Sequence, residues 1–251
     1  ERIGNQLALT ETGLELIEHV RGMAEAANRV SLAAMGRSLS VAGVVRLTAS
    51  QLISAFLLGP ALARLHADHP GLIVELVASN AARDLQRREA DIAVRNFAPT
   101  QDELVARRMP DGQARLYATP GYLSRIGDPT ALTIADLGRA AFFGFDDTER
   151  MVVGLQALGL PVTLANFTIR TEDHLVQWEL CKQGLGVCIV MEEVGEAEPA
   201  VQQVVPALPP LPVPMYLVSH REVRTSRRIR VVFDALVEAL SGANLSPPEA
   251  P

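Results

Sequence analysis

The fold is decided by residues 44–95, VVRLTASQLISAFLLGPALARLHADHPGLIVELVASNAARDLQRREADIAVR. Short runs rich in β-branched residues at 44–48, 72–77 and 91–94 predict three strands. The segments between them have the composition of helices, so strand and helix alternate. This alternation predicts an α/β fold with a parallel sheet and right-handed crossovers.

Two pairs of polar residues stand where the helices of this unit start. Ser50-Gln51 precedes an apolar segment predicted as one helix over 52–65, and Ser79-Asn80 precedes a short charged helix ending at Arg88. In a parallel sheet, ligands bind beyond the carboxyl ends of the strands, and free N–H groups at helix N-termini favour an anion. We therefore predict that Ser50, Gln51, Ser79 and Asn80 bind a ligand; the alternative is that they only cap helices.

Other polar residues are predicted to face the same cleft. Arg95 follows the third strand and is expected to project at its carboxyl edge, where it would pair a carboxylate ligand or, alternatively, a surface acid such as Glu103. Asp146 follows a predicted strand at 142–145. Asp173-His174 opens a predicted helix, with a capping Asp followed by an exposed His as the alternative.

The strand and helix alternation continues to the end of the chain, as expected of two similar lobes with a cleft between them. Residues 96–110 are predicted to form a polar excursion at the sheet edge, and Pro206–Pro214 a stiff connector. The remaining elements are predicted as strands over 115–119, 142–145, 162–170, 187–190 and 213–219, and as helices over 148–158, 173–183 and around 229–240.

Composition narrows the function further. The net charge is −6, which argues against a surface that is basic throughout. Cys181 and Cys188 are the only cysteines, which fits a reducing compartment; inert thiols are predicted over a redox or metal role. No apolar run approaches about 20 residues and no secretory signal opens the chain, so we expect a cytoplasmic protein without membrane contact. Because the sequence starts with Glu1, we expect a fragment of a longer protein.

The sequence lacks common motifs of enzyme active sites. The chain has no G-x-S-x-G, H-E-x-x-H, P-loop or G-x-G-x-x-G. His66 and His69 have a chelating spacing, but no third ligand lies near them in sequence. We therefore predict no metal, no cofactor and no enzymatic activity.

A long helix is predicted from Thr10 to about Met35, followed by a hinge over 36–43. Apolar and small residues repeat along it at spacings of three and four, which is typical of a coiled-coil seam. We predict that this helix self-associates; the alternative is an amphipathic helix packed on its own domain. The residues predicted to carry dimerisation are Ile17, Val20, Ala24 and Ala27.

Taken together, several segments give the chain a resemblance to LysR-type transcriptional regulators. No single segment is decisive, and the specificity lies in their order and spacing across nearly the whole chain. They are RIGNQLALTETG at 2–13, LLGP at 57–60, HPGL at 69–72, ADIAVR at 90–95, QGLGV at 183–187 and SRRIRVVF at 226–233. Gly59 and Glu89 depart from the family pattern, where proline and glycine are usual.

The resemblance implies a two-lobed, type II periplasmic-binding-protein-like effector domain preceded by a long linker helix. It divides the chain into a remnant of a winged-helix wing (1–13), a linker helix and hinge (14–43), regulatory subdomain I (44–117 plus 215–240), regulatory subdomain II (118–214) and a disordered tail (241–251). Most of the winged helix-turn-helix would then lie outside this sequence. Arg2 and Asn5 would at most touch DNA phosphates.

The resemblance also implies a homodimer or homotetramer that controls transcription in response to a small effector. The predicted pairing with Arg95 favours a carboxylate as its class. It places effector contacts at Ser50, Gln51, Ser79, Asn80, Arg95, Asp173 and His174. A stand-alone solute-binding protein of the same fold is the alternative, and light scattering distinguishes them because a solute receptor is monomeric.

Overall fold

The computed structural model describes residues 2–3, 6–7, 20, 23, 41–80, 90–99, 104–145, 147–220 and 226–241. The predicted helix up to Arg88 and the tail over 242–251 lie outside these ranges. The strands are β1 (Arg2–Ile3), β2 (Gln6–Leu7), β3 (Gly43–Ala49), β4 (Leu72–Ala78), β5 (Ile92–Arg95), β6 (Leu104–Ala118), β7 (Phe143–Gly144), β8 (Ile169–Arg170), β9 (Cys188–Met191), β10 (Gln202–Gln203) and β11 (Leu211–His220).

The α-helices of the described ranges are α1 (Gln51–Phe56), α2 (Gly59–Asp68), α3 (Pro120–Leu123), α4 (Thr148–Ala157), α5 (His174–Lys182), α6 (Glu192–Glu196) and α7 (Arg227–Leu240), with short 3-10 helices at Ile134–Arg139 and Leu164–Asn166. None of them is long and apolar enough to cross a membrane. Within the same ranges, no group of three or more His, Cys, Asp or Glu side chains is arranged to hold a metal ion.

The predicted parallel unit is confirmed. β3 pairs in parallel with β4 on one side and with β5 on the other. The predicted single helix over 52–65 is wrong, because the chain forms α1 and α2 with a break between them. Pro60 explains the break, since proline has no N–H and its ring clashes with the carbonyl four residues before it.

The predicted excursion over 96–110 is also wrong beyond residue 103. Residues from Leu104 onward form β6, which pairs antiparallel with β11 over most of its length. The register shifts between Val213 and Met215, opposite Gly112 and Met109. Pro214 lies in this shift and, like any proline, cannot donate to a β-ladder, so an irregular point accommodates it.

Two further predicted elements differ from the structure. The strand expected over 162–170 is a 3-10 turn followed by the short β8, because Asn166 Oδ1 accepts the backbone N–H of Thr163 at 2.8 Å and its hydroxyl at 3.2 Å. The stiff connector expected over Pro206–Pro214 is part strand, since β11 begins at Leu211.

Strands β6 and β11 carry the chain between two lobes, which confirms the two-lobed fold. In one lobe β11 lies between β5 and β6; in the other, the second half of β6 pairs with β9 and β10. The bounds predicted for the two subdomains stay a proposal.

Two hydrophobic clusters form the core. The larger packs α1, α2 and α7 on the sheet of the first lobe and continues to Trp178 and Cys181 of α5, so it crosses the boundary between the lobes. The smaller fills the second lobe around Leu137, Phe142 and Phe167. Full burial of one such apolar side chain stabilises the fold by about 1.5–3 kcal/mol.

Little of the N-terminal region falls in the described ranges. Arg2 belongs to β1, which pairs antiparallel with β2, while Asn5 lies outside. Val20 and Met23 are helical, and 61% and 73% of their surfaces are exposed. Ile17, Ala24 and Ala27 lie outside, so the predicted dimerisation seam stays a prediction.

Gly195 supplies a test of packing between α6 and β6. A Cβ atom at this position would lie 2.2 Å from two ring carbons of Tyr117, a side chain that is only 2% exposed. We expect Gly195→Ala to lower the free energy of unfolding by about 1–3 kcal/mol. Thermal and urea unfolding measure the change.

Gly154 on α4 is the matched control, because a Cβ there meets nothing within 4 Å. Gly154→Ala is expected to raise stability by about 0.5–1 kcal/mol through its higher helix propensity. Equal effects of the two substitutions would contradict the packing described for Gly195.

Candidate functional site

The carboxyl ends of β3, β4 and β5 form the floor of the candidate site. β3 lies between the other two, so the chain reverses its strand order next to β3, where open α/β sheets bind ligands. The backbone N–H of Ser79 donates to Ala49 O at 2.8 Å. The predicted helix starts at Ser50 and Ser79 are therefore neighbours.

Ser50 caps α1. Its Oγ accepts the backbone N–H of Ile53 at 3.3 Å, and its φ and ψ are extended, as expected of an N-cap. An accepting hydroxyl keeps its own proton, so Ser50 Oγ can cap the helix and donate to a ligand at the same time. The capping alternative and the ligand role are compatible at this position.

Asn80 connects the two lobes. Its Nδ2 donates to the backbone oxygen of Glu172, the residue before Asp173. The loop after β4 in the first lobe is thereby held against the start of α5 in the second lobe. The structure thus brings Ser50, Ser79, Asn80 and the Asp173 helix start to one boundary, as predicted from their places after the strands.

Asp173 caps α5 through its Oδ1, which accepts the N–H of Leu175 at 2.9 Å and of Val176 at 3.3 Å. His174 is not the exposed residue of the alternative prediction. Its Nε2 lies 2.7 Å from Ile189 O. Its ring packs edge-on against that of Phe145, with 5.5 Å between the ring centroids. Burial lowers the pKa of His174 below its ordinary value of 6.5, so the ring is neutral at pH 7 and donates through Nε2.

Arg95 lies at the end of β5, but its side chain folds back over the sheet instead of projecting from the strand end. Its guanidinium donates to Thr48 Oγ1 at 2.9 Å and to Val94 O at 3.2 Å. The residue is 3% exposed, so the alternative of a surface arginine is wrong. Because Ile92 and Val94 belong to the larger core cluster, Arg95 lies on the opposite face of the sheet.

Asp146 lies outside the described residues. Its neighbour Asp147 caps α4 by accepting the N–H of Arg150 at 3.2 Å. On the other side of Asp146, Phe145 contacts His174. The predicted contribution of Asp146 to the site stays a prediction.

Gln177 is a buried residue of the site that the sequence does not reveal. Its Nε2 donates to Thr171 O at 2.9 Å and to Gly144 O at 3.2 Å. The side chain therefore joins the carboxyl ends of β7 and β8 to α5, one turn after His174. A glutamine at this helical spacing is usually exposed, so neither residue type nor position predicts this role.

Both cysteines are buried and have free thiols. Burial raises the pKa of Cys181 to about 11 and that of Cys188 well above its ordinary value. Cys181 Sγ donates to Tyr117 O at 3.3 Å. Protonated, buried thiols react slowly with electrophiles and oxidants, which supports the prediction that they are inert.

Comparison with known proteins gives consistent matches. A family model described as the LysR substrate binding domain matches residues 39–241. The HTH-type transcriptional regulator CrgA of Neisseria meningitidis serogroup C (strain 8013) is 24% identical over 250 residues, which cover 97% of this chain and 82% of that protein. An HTH-type transcriptional regulator of Xanthomonas campestris pv. campestris is 28% identical over 128 residues, or 51% of this chain and 37% of that protein.

Solved structures agree in fold. The regulatory domain of CrgA superposes with a TM-score of 0.68 at 22% identity, covering 79% of this chain and 99% of that domain. Full-length AphB, a virulence activator of Vibrio cholerae, gives a TM-score of 0.69 at 19% identity, covering 94% of this chain and 82% of that protein. Together with the family match, these structures confirm the type II periplasmic-binding-protein-like fold.

His174 predicts how stability depends on pH. Its folded-state pKa lies below its unfolded value, so below about pH 6.5 the unfolded chain binds a proton that the folded chain excludes. Stability is expected to fall on acidification from there. His174→Gln, whose amide can still donate to Ile189 O, is expected to lose less stability between about pH 7.5 and about pH 5.5.

Urea unfolding at the two pH values measures the difference, at about 1.4 kcal/mol per unit of pKa shift. His66→Gln is the control, because it makes the same substitution at an exposed histidine of α2. A His174→Gln profile parallel to that of the wild type would refute the role of His174.

Proposed function

Because this chain belongs to the LysR family of transcriptional regulators, we propose that it is the effector-sensing and oligomerisation portion of such a regulator. A small effector binds between the two α/β lobes and changes their relative angle. The linker helix passes this change to the part of the regulator that binds DNA. The observation that carries the proposal is the bond between Asn80 of one lobe and Glu172 of the other, beside the helix starts at Ser50 and Asp173.

The effector contacts that we propose come from both lobes. They share a location at strand ends or helix starts, where backbone N–H groups and short polar side chains are available. They are Ser50, Gln51, Ser79, Asn80, Asp146, Asp173 and His174, together with Arg95, which we propose to act through its charge.

A carboxylate is the effector class that we propose. Ser50 can donate a hydroxyl proton, and the helix starts carry a positive partial charge. Arg95 adds a fixed cation near the end of β5; with its guanidinium on Thr48, it acts on the site through its charge and through the position of β3. Asp173 has the opposite charge, and its oxygen is engaged in capping α5, which reduces its repulsion of an anion.

The effector must bind one arrangement of the lobes better than the other, since equal affinity shifts no equilibrium. The Asn80–Glu172 bond exists only when the two lobes are close. A ligand that contacts Ser50 on one side and the start of α5 on the other favours the same close arrangement. Binding and the Asn80 contact are therefore proposed to reinforce each other.

Oligomerisation and DNA binding complete the proposal. Val20 and Met23 are exposed apolar residues one helical turn apart, which supports a linker helix that pairs with a second copy along Ile17, Val20, Ala24 and Ala27. Arg2 and Asn5 are proposed to touch DNA phosphate at most. We propose a cytoplasmic homodimer or homotetramer with no catalytic role.

Calorimetric titration of a carboxylate panel against the wild type and Ser50→Ala tests the effector site. We expect an acid that binds the wild type to bind Ser50→Ala about 10-fold to 100-fold more weakly, because a hydrogen bond to a charged group is lost. Thr119→Ala is the control, since it removes a similar capping hydroxyl at the start of α3. A ligand that binds wild type and Ser50→Ala equally well removes Ser50 from the site.

Light scattering tests the linker helix. The wild type is expected to have at least twice the chain mass of 27.0 kDa. Val20→Glu is expected to weaken association at least about 10-fold, because it places charge in an apolar seam. Val153→Glu on α4 is the matched control: Val153 is 65% exposed, against 61% for Val20. A wild type that is monomeric at every concentration would favour the solute-binding alternative.

A further inference from the structure

Helix α1 carries two buried polar atoms that have no hydrogen-bond partner among the described residues. They are Gln51 Oε1 and Ser54 Oγ. The two residues are three positions apart, so their side chains lie on the same side of the helix, about one turn from each other. Native proteins leave few buried polar atoms unpaired, and each exception calls for a physical reason.

The location of α1 suggests that reason. Leu52 and Ile53 of this helix belong to the same apolar cluster as Trp178 and Cys181 of α5, so α1 packs at the boundary between the lobes. Ser50, at the start of α1, already belongs to the proposed effector site. Gln51 and Ser54 follow Ser50 on this helix, at its first and fourth positions.

Charge and hydrogen-bonding capacity decide what these atoms can bind. An amide oxygen only accepts hydrogen bonds, whereas a hydroxyl can accept and donate. A carboxylate oxygen would be attracted by the Ser54 hydroxyl but repelled by Gln51 Oε1. A hydroxyl or amine group can donate to both.

We propose that Gln51 Oε1 and Ser54 Oγ bind a hydrogen-bond donor of the effector, which is therefore a hydroxy- or amino-substituted carboxylic acid. The inference rests on the proposed function and specifies the ligand of that site. It adds Ser54 to the binding residues and assigns Gln51 the role of acceptor.

Stability of the ligand-free chain gives the first test. Gln51→Met removes an unpaired polar atom while keeping side-chain length and helix propensity, so we expect the melting temperature to rise by about 2–4 °C. Gln177→Met is the matched control: the same substitution on α5 removes two hydrogen bonds and should lower the melting temperature. A fall for Gln51→Met would overturn the proposal, since it would mean that the amide already has a partner.

Ser54→Ala is expected to raise the melting temperature as well. Ser219→Ala is a second reference, because Ser219 Oγ on β11 is also buried and without a partner among the described residues. Ser219→Ala should raise the melting temperature in the same way without changing ligand binding.

Matched acids give the second test, by calorimetry on the full chain. The probes are succinate against malate and benzoate against salicylate, which differ by one hydroxyl. We expect the hydroxy acid of the pair that binds to bind the wild type at least about 10-fold more tightly, and Gln51→Met and Ser54→Ala to abolish this preference. Ser219→Ala should retain it.

The possible outcomes separate this inference from the proposed function. Equal binding of both members of a pair would overturn the donor site and leave a carboxylate sensor in place. Failure of succinate, malate, benzoate and salicylate, and of the wider carboxylate panel, to bind the wild type would overturn the carboxylate effector and the donor site together.

Discussion

The pairing of β6 with β11 is the constraint on which the rest of the structure depends. These are the two long strands of the described fold, and they run antiparallel from one lobe into the other. Their ladder carries β5 on one lobe's side and β9 and β10 on the other's. Both lobes are thus built on the same two strands. The register shift at Pro214 lies between the part of the ladder that continues to β5 and the part of β6 that pairs with β9.

This constraint also explains why the site combines residues that are far apart in sequence. Asn80 and Glu172 are separated by 92 positions, yet they form a hydrogen bond. Because α1 and α5 contribute to one apolar cluster, the helix starts at Ser50 and Asp173 are held at the same boundary. Apolar packing sets the distance between the lobes; in the proposed function, the polar groups at the strand ends make that distance sensitive to a ligand.

Local patterns predicted the parallel strands and the helix caps well because these signals are local. The β-branched runs at 44–48 and 72–77 and the caps at Ser50 and Asp173 depend on neighbouring residues alone. The strand predicted over 115–119 is the end of β6, but the earlier part of β6 was missed because Arg107, Arg108 and Asp111 are polar, although in an extended strand such residues face solvent.

For the candidate site, the sequence predicted which polar residues lie at the strand ends but not which partners their side chains contact. Arg95 was correctly placed at the end of β5, yet its direction depends on Thr48, which lies 47 positions earlier. Gln177 was missed because its partners, Gly144 O and Thr171 O, meet only in the folded chain. Partners of this kind are set by tertiary structure, which a single sequence does not encode in any local pattern.

The free energies involved are small, and this suits a sensor. A hydrogen bond such as that from Asn80 to Glu172 contributes about 0.5–1.5 kcal/mol net, and allosteric couplings are typically about 1–3 kcal/mol. In the proposed function, one or two such contacts are enough to couple a ligand to the angle between the lobes. The inference for α1 follows the same reasoning: if Gln51 and Ser54 were satisfied internally, the proposed site would have less free energy to gain from an effector.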